Sequence, residues 1–517
     1  MKHISEILAD GVTFTGSDVA VDSLVFDSRE VTKNSLFFAL PGVHVHGNSY
    51  IAKAIEKGAS AVVYEGDLPS GIENSDVAFI KVHDARAAMS PIATKFYDNP
   101  SKKLIVFGVT GTEGKSTTIF FIWQLLRLIG KKAGFISTVQ YSLGDDAINN
   151  PEHQTTPEAP IIQAKMAEMV KNGCEFAVIE SSSHGLSPKT GRLADVLFDG
   201  VAMMNVTHEH LEFHGTYEQY KDDKANLFRN LAKHDHRKVI NGREIQVPAF
   251  GAVNLADPAA SFFAQCAHPY VVSGFTSSVV HYNNNRDDFN ANYRVTNIKT
   301  DENSVRFDIS LGVMEQSVVL NLPGAFNADN AIAAMLLVAS VTKEPFASLI
   351  NKASELTPVR GRMTAIDKGQ DFEVLVDYAH TPSSFETIFP PLRERITGKI
   401  ISLFGSGGER DTKKRPIQGE IAAKYSDIVI LADEDPRGED PVELLEQIAV
   451  GCKNLVRDES LFIIPDRPTA IRKAYALAEK GDLVLLLGKA HENSIIYKDF
   501  TMDYDEISEA EKALLEL

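Results

Sequence analysis

Five hundred and seventeen residues, at roughly 100–200 per domain, exclude a single small binding module and imply about three to four domains. With 44% hydrophobic and 24% charged residues, the composition is that of a globular chain rather than a disordered one. Against 52 lysines and arginines stand 70 acidic side chains, and the resulting charge of −18 repels nucleic-acid backbones and anionic membrane faces.

Residues 1–98 read as a small α/β domain. The apolar runs SLFFALPG (35–42), SAVVYEG (60–66) and VAFIKV (77–82) alternate with helical stretches such as Tyr50–Lys57, and the Asn99-Pro100 turn closes the unit. A second domain, 99–357, opens with the strand LIVFGVT (104–110), a glycine-rich turn and a helix from Ser116 to Ile129. Strand candidates AGFIST (133–138), FAVIE (176–180) and GVAMMNV (200–206) follow between helices, a rhythm that predicts a largely parallel sheet. YRVTNIKT, VRFDISL and QSVVLNL read as appended antiparallel strands before a helix from Asn327 to Thr342, and the 282–289 run YNNNRDDF reads as a solvated loop. The third domain, 358–517, repeats one pattern four times: EVLVDYAHTP (373–382), KIISLFGSGGERD (399–411), DIVILADEDPR (427–437) and DLVLLLGKAHE (482–492) each run from an apolar strand into a polar or glycine-rich loop. Ligands of open α/β sheets sit beyond the carboxyl ends of the strands, so these four loops are expected to converge.

Three cysteines, Cys174, Cys266 and Cys452, form no CxxC pair, which argues against a disulfide framework or a structural zinc site. The start MKHISEILADGVTF lacks a signal-peptide pattern and no run reaches 18 apolar residues, so a cytoplasmic protein without membrane insertion or a nucleic-acid partner is expected.

The segment Gly108-Val109-Thr110-Gly111-Thr112-Glu113-Gly114-Lys115-Ser116-Thr117 lies between strand and helix. Glycines let backbone N–H groups wrap phosphates, the helix start adds partial positive charge, Lys115 can reach the β/γ-phosphates and Ser116 can hold Mg²⁺. Val109 stands where a strict GxxxxGK[ST] has glycine, so a generic glycine-rich turn is the alternative; the Lys-Ser pair and its context point to a nucleoside triphosphate. Glu180 and the segment Asn205-Val206-Thr207-His208-Glu209-His210 end neighbouring strands, with His214 close behind. Mg²⁺ takes oxygen ligands, which suits Glu180 with Ser116, whereas isolated histidines more often cap, pack or bind zinc.

Together GVTGTEGKSTT, ESSSHGL, NVTHEHLEFHGTYEQYKDDKANLF, LPGAFNADNA and VDYAHTP resemble the Mur ligase family, which builds the peptide stem of peptidoglycan, over essentially the whole chain. DSREV (27–31) with LFFALPG, HQTTPEAP (153–160) and the GSGGERD…KKRP segment are most similar to its tripeptide-forming member, which adds a diamino acid to UDP-N-acetylmuramoyl-L-alanyl-D-glutamate. The resemblance implies an α/β fold of three domains: a small N-terminal α/β UDP-binding domain, a central P-loop parallel-sheet ATPase domain and a C-terminal Rossmann-like domain. It implies ATP and Mg²⁺, and amide formation through an acyl phosphate. Carboxylate and triphosphate are both anions, so cations must neutralise them before they meet in line.

By the same resemblance Lys115, Lys224, His210 and Glu180 are catalytic, and Ser116, Glu180, His210 and a carbamylated Lys224 hold metal. ATP contacts fall on Gly111, Thr112, Gly114, Lys115, Ser116, Thr117, Asn330, Arg362, Asp377 and His380; since Arg362 belongs to the third domain, that domain is expected to close over the P-loop. The UDP-sugar peptide falls on Ser28, His44, Thr155, Thr156, Ser182 and Arg192, although SPKTGRL before Arg192 is longer than the family pattern. For the diamino acid the implied residues are Arg410, Glu434, Asp435, Pro436, Arg437, Gly488 and Glu492. Asp435 stands where meso-diaminopimelate users carry Asn and Ala490 where they carry Gly. The added carboxylate favours a cationic end, as in lysine or ornithine, and Arg437 favours a second carboxylate, leaning slightly to meso-diaminopimelate.

The rival readings are another carboxylate–amine ligase, either the next Mur ligase or a folylpolyglutamate synthase, which lacks a UDP-sugar domain, and a P-loop ATPase acting as a conformational switch. A monomer is expected.

Overall fold

The computed structural model describes residues 1–9, 11–42, 45–72, 76–150, 154–207, 211–277, 289, 292–301, 304–311 and 314–517. Its N-terminal part holds a four-stranded parallel sheet, Ser23–Val25, Ser35–Phe38, Ala61–Tyr64 and Ala78–Lys81 in that order. The apolar runs predicted the last three of these strands, because a sheet covered on both faces selects unbroken apolar segments, and Ser23–Val25 adds a short fourth. The expected Tyr50–Lys57 helix is a 3₁₀ turn, Gly47–Tyr50, leading into Ile51–Glu56. Asn99, in the left-handed region at φ 53°, ends this part just before Pro100.

An eleven-stranded sheet organises the centre. Its spine runs Ala133–Ile136, Phe176–Glu180, Ile105–Thr110, Gly200–Met203, Phe250–Asn254, Val272–Thr276 and Asn292–Thr300, all parallel. Antiparallel strands extend both edges, and Val305–Leu311 and Met314–Leu320 on one of them match the expected appended strands. Ile105–Thr110 therefore lies between Phe176–Glu180 and Gly200–Met203, with Glu180 level with Val109 and Met203 level with Thr110. This register brings the ends of three strands side by side. The helix Lys115–Leu128 covers the sheet beside Asn327–Thr342, and the two share one buried core.

The C-terminal sheet runs Thr364–Ala365, Glu373–Asp377, Leu483–Leu487, Ile400–Phe404, Ile428–Leu431 and Leu461–Ile463, parallel except at the first edge strand. Arg467, fully buried, ties the last helix to this sheet: it grips Glu506 through Nε and Nη2 and also donates to the Leu487 and Asp433 carbonyls. Among the described residues no helix is long and apolar enough to cross a membrane.

Candidate active site

The glycine-rich loop leaves Ile105–Thr110 and enters the helix at Gly114, whose φ of 83° suits glycine. A side chain there would also collide with Asn330, whose Oδ1 lies 2.6 Å from the position of a Cβ. Asn205, at the end of the neighbouring strand, accepts the N–H groups of Thr112 and Glu113 at 3.0 and 2.8 Å and so fixes the loop's curvature. The Lys115 ammonium donates to the Thr112 carbonyl at 2.8 Å.

Glu180 is buried beside this loop. The Ser116 hydroxyl donates to its carboxylate at 3.0 Å and the Thr138 N–H at 2.8 Å, which makes a set of hard oxygen ligands at the head of the helix. Lys224, on the helix Tyr217–Asn230, is buried too; its Nζ donates to the Gly111 carbonyl at 2.6 Å and sits over the Tyr220 ring. Ser116, Glu180 and Lys224 thus crowd around one loop. His210 and His208 lie outside the described residues. His214 is a packing group: Nδ1 meets Asp223 at 2.7 Å and Nε2 meets the Ser183 hydroxyl at 3.0 Å, all three buried and none of them lining the cavity described next.

A cavity of about 380 Å³ opens between the central and C-terminal domains. Thr112, Gly114, Lys115, Ser116, Thr117, Glu180 and Asn330 line one wall, and Arg362, Asp377, Tyr378 and His380 line the other. The expected nucleotide residues of two domains therefore share one space, Gly111 lying at the back of the loop. Asp377 is held by the N–H groups of Met363 and Ala379, both at 2.8 Å; burial pushes its carboxyl pKa up against the pull of Arg362. The Arg362 guanidinium rests 4.8 Å from the centre of the Tyr378 ring.

Thr155 reaches this cavity, while Thr156 is buried, its hydroxyl donating to the Glu180 carbonyl and accepting the Ser182 N–H. Ser182 caps a short helix through the Gly185 N–H. Arg192 donates to the Thr156 carbonyl and to Glu158. Ser28 sits in a turn of the N-terminal domain, away from the cavity lining, where Asp27 binds Arg29 and its carboxyl is held below the usual range by that bond; His44 lies outside the described residues.

The four C-terminal loops converge as expected. The Gly408 Cα faces the Pro436 carbonyl so closely that a Cβ would stand 1.9 Å from its oxygen, and one on Gly488 would stand 2.7 Å from Glu434 Oε2. Glu434 is half-buried, its Oε2 is enclosed with no partner among the described residues, and desolvation raises its pKa. The Asp435 carboxylate is engaged within the protein: it accepts Lys489 Nζ at 2.9 Å and the Ile496 N–H at 3.0 Å, and Lys489 is shared with Glu492. Burial works against the Lys489 charge, but Glu492 and Asp435 keep its pKa above the ordinary lysine value. Glu492 also accepts the Tyr378 hydroxyl, so the acceptor loops touch the nucleotide wall. Arg437, at φ 55°, lies beside Asp435 with its Nε buried and unpartnered, whereas Arg410 is exposed. Ala490 adopts φ 39° against Gly361.

Sequence reasoning passed over Asn205 and Lys489 as individual site residues. A lysine set among carboxylates in a glycine-rich strand end was the signal for Lys489; Asn205 carried none beyond its place at a strand end. Asp199, His234 and His236 also cluster, but Lys238 stands 2.9 Å from Asp199 and already supplies the cation.

Three family models match the chain: Mur ligase family, catalytic domain, over residues 20–97; Mur ligase middle domain over 109–338; and Mur ligase, glutamate ligase domain, over 361–490. The chain is 52% identical to UDP-N-acetylmuramyl-tripeptide synthetase of Treponema denticola, over 99% of this chain and 98% of that protein. It is 47% identical to the protein of the same name from Treponema pallidum, over 96% and 94%. Among solved structures it resembles a UDP-N-acetylmuramoyl-L-alanyl-D-glutamate–2,6-diaminopimelate ligase, with a TM-score of 0.61, 25% identity and coverage of 96% and 95%.

Proposed function

The chain belongs to the Mur ligase family, and on that premise we propose that its central and C-terminal walls activate the side-chain carboxylate of UDP-N-acetylmuramoyl-L-alanyl-D-glutamate and join it to a diamino acid. It is an ATP-dependent ligase of peptidoglycan synthesis, of the tripeptide-forming kind. The observation that carries the reading is the shared cavity, in which the P-loop faces Arg362, Asp377 and His380.

In this reading loop N–H groups and Lys115 hold the terminal phosphates, and Arg362 adds charge from the opposite lobe. The oxygen pair of Ser116 and Glu180 suits Mg²⁺, with His210 and a carbamylated Lys224 completing the set. A bound Mg²⁺ supplies positive charge to the phosphate oxygens. Thr155, Thr156, Ser182 and Arg192 orient the dipeptide acid toward the γ-phosphate, and Ser28 and His44 meet the nucleotide-sugar end. The carboxylate attacks the γ-phosphorus of ATP, the bond to the β-phosphate oxygen breaks and ADP leaves, giving an acyl phosphate; the amine then attacks the carbonyl, phosphate leaves and the amine proton is lost.

Arg437, whose buried Nε has no partner among the described residues, supports meso-diaminopimelate as the acceptor slightly ahead of L-lysine and L-ornithine. Arg410, Glu434, Pro436, Gly488 and Glu492 complete that pocket. The test is phosphate release from ATP and Mg²⁺ with and without the dipeptide, followed by the product mass from a mixture of the three acids. Release that needs both dipeptide and amine supports the ligase; release indifferent to the dipeptide supports the switch ATPase. The mass increment names the acid.

A further inference from the structure

We propose that Arg86 and Glu158 are positioning residues that tie the N-terminal domain to Arg192, so that Arg86 offsets Glu158 and leaves the Arg192 guanidinium free to grip the acid end of the dipeptide. The proposal rests on the reading above.

Glu158 occupies the N-cap of the helix Ala159–Lys171 but makes no side-chain cap bond. Short polar residues are favoured there because they cap the first N–H groups. Its buried carboxylate turns to two guanidinium groups instead, and Oε1 accepts both Arg192 Nη2 at 2.9 Å and Arg86 Nη1 at 3.2 Å. These guanidinium groups come from different domains: Arg86 precedes the N-terminal helix Met89–Phe96, and Arg192 follows Ser183–Leu186. The surrounding contact is a packed one. Ala159 belongs to the N-terminal core, and the Asp195 N–H donates to the Ser90 hydroxyl.

Arg192 leads on to the site. Its Nη1 donates to the Thr156 carbonyl at 2.8 Å, and the Thr156 hydroxyl bonds both the Glu180 carbonyl and the Ser182 N–H. Two polar atoms at this junction, Arg192 Nε and Glu158 Oε2, are buried without a partner among the described residues. A guanidinium set against one carboxylate has little charge left for a substrate acid. Two against one leave a net positive charge, and the unused Nε–H is the donor that a second carboxylate takes.

The experiment is steady-state kinetics on the full chain with UDP-N-acetylmuramoyl-L-alanyl-D-glutamate, ATP and the preferred diamino acid. Arg86→Ala is expected to raise KM for the dipeptide about tenfold, the scale of one charge-assisted hydrogen bond, with kcat and the ATP KM within about twofold of wild type. Arg86→Lys restores part of the loss, because the charge returns without the fork. Adding Glu158→Gln to Arg86→Ala restores dipeptide KM, since the charge that Arg86 offset is gone. The proposal falls if Arg86→Ala leaves dipeptide KM unchanged, if it raises both KM values and lowers kcat together, or if Glu158→Gln does not rescue it. A wild-type chain that does not turn over the dipeptide overturns the functional reading itself.

Discussion

Glu180→Gln separates catalysis from stability with opposite signs. Glu180 is 1% exposed, and its carboxylate accepts the Ser116 hydroxyl and the Thr138 N–H. Glutamine has the same shape: its Oε1 keeps the Thr138 bond while its Nε2 donates to Ser116 Oγ, so both neighbours keep a partner. Removing a buried charge in this way leaves the melting temperature unchanged or raises stability by roughly 1 kcal/mol. The anionic partner for a divalent cation beside the phosphates is lost, however, and losses of transition-state charge stabilisation of this type run to about 10²–10³ in rate, or about 3–4 kcal/mol. Phosphate release at varied Mg²⁺, paired with thermal unfolding of the same sample, reads both numbers. A variant within about twofold of the wild-type rate at every Mg²⁺ concentration, or one that loses rate only in step with unfolding, refutes the assignment of Glu180 to the metal.

Arg362→Ala removes the cation that the C-terminal lobe brings to the cavity, and kcat is expected to fall while the fold holds; an unchanged ATP-dependent rate removes the case for closure. Arg467→Met strands the fully buried Glu506 and is expected to destabilise the chain by about 3–5 kcal/mol in denaturant titration, whereas Arg467→Met with Glu506→Leu recovers most of that loss. Burial raises the Asp329 carboxyl pKa to about 6, from 3.8, so the folded chain takes up this proton before the unfolded one does. Its contribution therefore destabilises above about pH 6 and fades as pH falls toward 4; Asp329→Asn is expected to stabilise the ligand-free chain at pH 7–8 by roughly 2–3 kcal/mol and to flatten that part of the pH–stability curve.

The parallel strands were legible because buried sheets leave unbroken apolar runs, as in LIVFGVT, FAVIE and DLVLLLG. Phe250–Asn254 and Val272–Thr276 escaped notice although every residue in both is buried, because Gly251, Ala252, Ser273 and Gly274 dilute the apolar signal that periodicity depends on. The hairpin Arg237–Ile240 with Arg243–Gln246 was hidden for the opposite reason, its second strand being exposed at every residue. In the site, Lys115, Ser116 and Glu180 were readable from spacing at strand ends. The pairing of Asp435 was not, because it depends on a lysine 54 positions away that folding alone brings within 2.9 Å.

The near-contact of Gly408 with the Pro436 carbonyl, and of Gly405 with the Ala432 carbonyl, where a Cβ would stand at 2.2 Å, leaves two acceptor loops meeting backbone to backbone. Neither loop can be lengthened, or transplanted from a relative, without its neighbour losing its seat. If these loops hold the amine as proposed, redirecting the enzyme to another one is a matter of exchanging side chains at positions 434, 435, 437 and 410 on a frozen frame, and chimeras that swap a single loop are expected to misfold locally before they change preference.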